Sequence, residues 1–505
     1  MFGKIKNVLK ILRNKKDKSL TRQTIENSIY SSTTGVVSKI GGLIFTILLA
    51  RILMPELFGL YNLVLSIVLT IATFTDLGIN SALSRYLSES LTKGKKGEIE
   101  ARSRVRFLFN LKLFLTFGAS LILFLLAPTI ANAIFKRPEM ILPIYFGSLY
   151  IFLLSFQGFL STFFYPLKKL KYNLTSEIIF QISKILLFIV LIKLYLNIST
   201  VFWVLILSTT ISILFFLSIL LIKQRKLFFG KIAPIERRRI SIFLGWTMLL
   251  SLLIPIYSYV NTFMLGLFVE DKFIGYFNAI LSIVIPIAAF LNFSMVLLPI
   301  FTGISGERLV RGFKKVIKYV TMFAIPASIG LMFVIISIIK VLYGMTYVPL
   351  EFEFAIILSG ILLSFLVFEG AILGTYFSLF NSKEKVKFPA LFLLGMTFVN
   401  IVLNYFFIKF ALQYGPEWTL VAVSFATVIS RYSNLGVLNL FSKKKFGLSI
   451  DKKDIIKPLI ASSIMLGFLF LFNWIFNPGF WLSGLMIILA IGIYFLSLYL
   501  INKKK

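Results

Sequence analysis

Cysteine and histidine are both absent from the 505 residues, and acidic residues are scarce, 20 against 53 Lys and Arg. Without Cys there is no disulfide, no thiolate metal site, no Cys nucleophile and no Cys-linked lipid. Without His the commonest general base, zinc ligand and near-neutral proton switch are missing. Charge is thin overall: 14% of residues are charged and 58% are apolar, where a soluble domain has about 25% and about 45–50%. That composition excludes a soluble globular enzyme. The formal net charge of +33 does not point to nucleic acid, which needs the charge gathered on a soluble face. Here it sits in short loops between apolar runs, the pattern of membrane topology.

The apolar runs have membrane length. They predict helices at 28–50, 57–80, 106–127, 140–165, 174–196, 198–222, 242–267, 276–301, 318–342, 352–380, 389–409, 418–441, 458–476 and 480–501. The expected fold class is an all-α polytopic membrane protein with about fourteen spans. Stretches on the N-terminal side of the membrane hold 42 Lys and Arg, whereas the opposite loops hold 4 (Arg51, Lys136, Arg137 and Lys272). By the positive-inside rule both termini are expected in the cytoplasm, in a multi-pass protein of the cytoplasmic membrane. Residues 1–27 form a basic cytoplasmic N-terminus, in which Phe2, Ile5, Leu9 and Leu12 recur at helical spacing. With neither an apolar core nor a cleavage site, Met1–Lys16 reads as an interfacial amphipathic helix rather than a signal peptide.

Shifting the sequence on itself by 216 residues aligns Gly59, Asn62, Leu65, Ser66, Ile67 and Val68 with Gly275, Asn278, Leu281, Ser282, Ile283 and Val284. Apolar identities are cheap in membrane segments, but Gly, Asn and Ser in one register are not. The preceding helices match in pattern: the stripe Ser31, Gly35, Lys39, Gly42, Thr46 maps onto Thr247, Ser251, Pro255, Ser258, Thr262. Six spans separate the copies, which makes this a parallel repeat about an axis along the membrane normal. Two pseudo-symmetric six-helix lobes are therefore expected, 28–222 and 242–441, joined by a basic linker at 223–241. A basic loop at 442–457 leads to two further helices within 458–501. Facing lobes with polar stripes would enclose a central cavity suited to alternating access.

The run Ala50-Arg51-Ile52-Leu53-Met54-Pro55-Glu56-Leu57-Phe58-Gly59-Leu60-Tyr61, with Asp76-Leu77-Gly78 and Ser84-Arg85-Tyr86, resembles the opening of polysaccharide biosynthesis transporters. These are O-antigen-type flippases of the multidrug/oligosaccharidyl-lipid/polysaccharide exporter superfamily. Asn261 to Gly266 and Gly275 to Asn278 resemble that family's seventh and eighth helices. The resemblance implies a flippase that moves a polyprenyl-phosphate-linked oligosaccharide to the outer leaflet, with lipid-linked saccharide, membrane lipids and glycan-assembly enzymes as partners. Its motif positions here are Arg51, Pro55, Gly59, Tyr61, Asp76, Gly78, Arg85, Asn261 and Gly275. Two departures stand out. Related lipid II flippases carry an Arg-Asp pair in the first helix, where this chain has Phe45 and Thr46; seventh helices often carry Asp where this chain has Asn261.

Seven Lys or Arg fall inside predicted spans. Lys112, Lys193, Lys340 and Lys409 lie close enough to helix ends to snorkel. Lys39, Lys184 and Arg431 lie near mid-span, as does one acid, Glu369, a coupling or ion-pair candidate. A charge at the bilayer centre costs about 2.5–3.5 kcal/mol on insertion scales, so each should face protein or a wet cavity. Three deep cations against one carboxylate leave a net positive interior, suited to lipid-linked phosphate; Lys39, Lys184 and Arg431 are the expected substrate-binding cations. A multidrug exporter of the same superfamily is the nearest alternative, but its cavity should be acidic. A membrane glycosyltransferase or polymerase would need acidic pairs in a large outer loop, and these are missing. No enzymatic activity, nucleotide motif, metal or other cofactor is expected.

Overall fold

The computed structural model describes residues 20–91, 93–228, 237–383, 385, 387–476 and 480–503, and their regular structure is helical throughout. The basic segment Met1–Lys16 lies outside the described residues. Thirteen segments among the described residues are long and apolar enough to cross a membrane. The first of these holds two spans, because α1 (Leu20–Ala72) is broken at Met54, with φ 60° and ψ 171°. The break follows from Pro55: proline offers no N–H to continue the ladder and drives the preceding residue out of helical geometry. Counting both sides of Met54 gives the fourteen expected spans.

The second span is shorter than predicted. It ends at Ala72 and passes through a 3-10 turn, Thr73–Thr75. Leu77 and Gly78 then take positive φ, 40° and 84°, before the amphipathic helix α2 (Ile79–Leu91). The chain continues as α3 (Gly94–Pro128), α4 (Ile141–Phe163), α5 (Lys171–Ile192), α6 (Ile198–Lys223) and α7 (Arg237–Phe268). The eighth span is split into α8 (Asp271–Phe290) and α9 (Ser294–Thr302). Between them the Asn292 side chain accepts from the Ser294 amide at 3.0 Å, an Asx turn that competes with the helix. After α10 (Gly306–Leu342) the tenth span is likewise split, into α11 (Glu353–Ser364) and α12 (Leu366–Ser382), and α13 (Lys387–Ala411), α14 (Trp418–Phe446), α15 (Lys452–Phe476) and α16 (Phe480–Lys503) complete the chain.

The chain divides into two compact units. The first holds the residues up to Leu49 with Leu63–Ile256, the second Ala50–Asn62 with Tyr257–Lys505. These limits differ from lobe boundaries at 222 and 242, and tertiary contacts explain why. In the first unit, Ile240 joins an apolar core with Tyr86, Leu220 and Leu227. The Tyr86 hydroxyl donates to the Arg239 carbonyl at 3.2 Å, and Glu89 accepts two bonds from the Arg239 guanidinium, at 3.1 and 3.2 Å. The start of α7 is thus tied to α2. In the second unit, the Arg51 guanidinium donates to the Leu342 carbonyl at 2.6 Å and to that of Val341, capping α10 at its electronegative end. Tyr347, fully buried, donates to the Ala50 carbonyl at 2.8 Å. The last two helices pack on α10, with Ala461, Met465 and Tyr494 against Met322, Ile329 and Phe333.

Candidate functional site

In the first unit the polar stripe of α1 is open rather than packed. An added Cβ at Gly35 or Gly42 would meet no atom within 4 Å, and Lys39 between them is exposed. Gly41 faces the other way: a Cβ there would strike the Gln181 side chain, so α1 and α5 approach closely at this level. The same junction holds Lys184. It is 6% exposed, its Nζ lying 4.7 Å from the Phe45 ring centre and 4.9 Å from that of Phe180. A cation over aromatic faces is held by their quadrupoles. No carboxylate lies within ion-pair range of the Lys184 ammonium among the described residues. Glu177, two turns back on the same face, accepts from Gln181 at 2.7 Å and reaches Lys184 only as a longer-range charge.

The second unit holds the acid. Glu369 is fully buried, and its Oε2 lies 3.5 Å from Nη1 of Arg431, which is 20% exposed. Glu369 Oε1 has no hydrogen-bond partner among the described residues. The Arg431 guanidinium lies 4.9 Å from the Tyr257 ring centre. Its helix-mates Ser424, Thr427, Ser430 and Asn434 are buried. Asn404 donates to Asn261 at 2.9 Å and to Asn400 at 3.1 Å, and Asn400 donates to Ser430 at 2.9 Å. Asn261 therefore belongs to a neutral amide chain linking α7, α13 and α14.

The motif positions turn out to shape the scaffold. Arg51 caps α10 and Pro55 sets the break in α1; Tyr61 is buried and Gly78 takes the left-handed turn. Asp76 accepts from the Asn80 amide at 3.1 Å, capping α2, and pairs with Lys112 at 3.3 Å. Arg85 stacks 5.9 Å from the Tyr86 ring centre. Gly59 and Gly275 permit a close backbone crossing.

The four shallow lysines differ in their surroundings. Lys193 and Lys409 are exposed, but Lys340 pairs with Glu353 at 2.7 Å, and Lys112 is 3% exposed against Asp76. Sequence reasoning also missed Tyr257, Asn400 and Asn404. The two asparagines at i and i+4 in an otherwise apolar helix were the available signal; for Tyr257 there was none.

The profile of the polysaccharide biosynthesis protein family matches residues 24–305, more than half of the chain. The chain belongs to that family. Over 187 residues it is 29% identical to the lipid II flippase MurJ of Thermosipho africanus (strain TCF52B); the match covers 36% of each protein, about a third of that relative. A solved lipid II flippase MurJ in an inward closed conformation shares the fold with TM-score 0.71 and 18% identity, over 94% of this chain and 99% of that one. An inward-facing multidrug resistance MATE family transporter of the MOP superfamily gives TM-score 0.64 and 12% identity over 83% and 99%. A MOP superfamily transporter from Pyrococcus furiosus, reported with a reversed polarity of its binding pocket, gives 0.54 and 13% over 83% and 93%. The protein is thus a multi-pass membrane protein with the MOP-superfamily fold.

Proposed function

We propose that this protein is a transporter, not an enzyme, and flips a polyprenyl-phosphate-linked oligosaccharide from the cytoplasmic to the outer leaflet by alternating access. The observation that carries this reading is Lys184, a buried ammonium clamped by two aromatic rings with no carboxylate in ion-pair range among the described residues. Glu369 accounts for Arg431 alone. A drug exporter handling organic cations would need the opposite balance. Substrate phosphate is the natural partner for Lys184, with Lys39 as the reachable cation beside open space on α1 and Arg431 as a third. Cations at that depth lower the barrier for a phosphate crossing a low-dielectric region.

Lipid II is the substrate named for the MurJ relatives. Here Phe45 stands where those flippases carry their first-helix Arg, and the cation beside it arrives from α5 as Lys184. That exchange argues against lipid II itself as the substrate. Gene neighbours encoding glycosyltransferases would accord with a glycan-assembly role.

The test uses the purified chain in proteoliposomes with a labelled polyprenyl-diphosphate oligosaccharide. Lys39→Ala should abolish translocation while the protein inserts at normal abundance, and Lys39→Arg should retain part of it. Lys340→Ala should change little. Normal transport by Lys39→Ala would remove Lys39 from the site.

A further inference from the structure

Where α10, α15 and α16 leave the membrane on its basic side, they enclose a cavity of about 530 Å3. Its rim holds Lys318, Lys452, Lys453 and Lys457 with Asp451 and Asp454. Met322, Pro458 and Leu498 form its apolar part. Four lysines outnumber the two acids, of which Asp454 interacts electrostatically with Lys318 and with Lys314. Asp451 is engaged at 3.1 Å by Lys314, which lies outside the lining. Lys457 donates to Asn502 at 2.8 Å, tying α15 to α16. That leaves Lys318, Lys452 and Lys453, all exposed, without a carboxylate in ion-pair range among the described residues.

A second cavity, about 510 Å3, lies along the same three helices and the end of α8, where Ile287 and Leu291 line it. Its lining is apolar, with Phe323 and Gly330 from α10, Met465 and Leu469 from α15, and Ile491 and Phe495 from α16. Tyr494 marks the junction, its hydroxyl donating to the Met322 carbonyl at 2.6 Å. A cationic pocket at the surface over an apolar groove matches a molecule with an anionic head and a hydrocarbon tail. Basic pockets between helices at a membrane face bind such head groups. A free phosphate would use the rim and leave the groove without a role.

We propose that these two cavities together hold an anionic phospholipid as a resident lipid, distinct from the transported substrate. Lys318, Lys452 and Lys453 take its phosphate, and one acyl chain lies in the groove. The lipid then cements α15 and α16 to α10 at a place where direct contacts leave space.

The experiment measures lipid retained by the purified full chain, by native mass spectrometry after detergent washing, with phosphatidylglycerol and phosphatidylcholine offered in equal amounts. The wild-type protein should keep phosphatidylglycerol at least tenfold over phosphatidylcholine. Lys318→Ala with Lys453→Ala should bring that preference down to near parity, and Lys318→Arg with Lys453→Arg should keep it. Gly330→Leu, which fills the groove beside Met465, should reduce retention of both lipids with the lysines intact. Should the double alanine variant fail to accumulate, the arginine pair and Gly330→Leu still decide. Equal retention of the two lipids by the wild-type protein overturns the proposal. So does undiminished retention in Gly330→Leu, or thermal stabilisation by inorganic phosphate equal to that by phosphatidylglycerol.

Discussion

Gly59 and Gly275, 216 residues apart, each lie against the backbone at the start of the other's helix. A Cβ on Gly59 would run into the Asp271 carbonyl, and one on Gly275 into the Pro55 carbonyl. Pro55 and Asp271 are themselves 216 residues apart, and each opens the helical segment that follows it. The contact is therefore reciprocal, and both members of the repeat need glycine for the same steric reason. Local hydrogen bonds keep the same register. Asn62 donates to Phe58 and Asn278 to Ile274, each four residues back; Ser66 donates to Leu63 and Ser282 to Ala279, each three back.

Alanine at either glycine should destabilise the protein by about 1–3 kcal/mol, the usual range for an overpacked contact. Gly42→Ala, where a Cβ meets open space, should be neutral or slightly favourable. Thermal melting of the three purified variants in one detergent makes the comparison. A Gly275→Ala protein as stable as wild type would refute the close crossing.

Glu369 and Arg431 should behave as a coupled pair. Removing one member of a buried ion pair costs about 3–5 kcal/mol, because the other charge is stranded. Glu369 is 0% exposed and Arg431 20%, so Arg431→Met should be worse than Glu369→Gln. The double variant should recover much of the loss. Strict additivity in the melting data would show that the two do not interact. If Arg431 also meets substrate phosphate, the stable double variant should still be defective in translocation.

Asp76 has two partners, the α2 amide of Asn80 and the buried Lys112. Asp76→Asn keeps a capping oxygen but strands the ammonium, while Asp76→Ala loses the cap as well, worth about 1 kcal/mol more. Lys112→Met should be milder than either and should rescue Asp76→Asn. Melting temperatures of the four variants test this ordering, and failure of the rescue would break the pairing.

Orientation is tested by reporter fusions. The loop charge bias expects a fusion at Lys231 to read cytoplasmic and one at Gln413 external. The same side for both would overturn the topology.

The sequence by itself determined membrane residence, the number of spans and the repeat, each for a local reason. Hydropathy is a property of one segment, since every span must satisfy its own backbone and present apolar side chains wherever it meets lipid. The repeat was visible because a crossing without room for a Cβ preserves glycine in both copies. What the sequence could not give is partnership. Lys112 looked free to snorkel because the turn placing Asp76 beside it is not written in hydropathy. Lys184 and Arg431 looked alike as mid-span cations, yet one meets two aromatic rings and the other a buried carboxylate. Tertiary structure also decided which compact unit claims the middle of α1 and the start of α7, through Arg51 on α10 and Arg239 on Glu89. Those contacts join residues 291 and 150 positions apart. Their energy depends on distance and desolvation in three dimensions, which no window along the chain records.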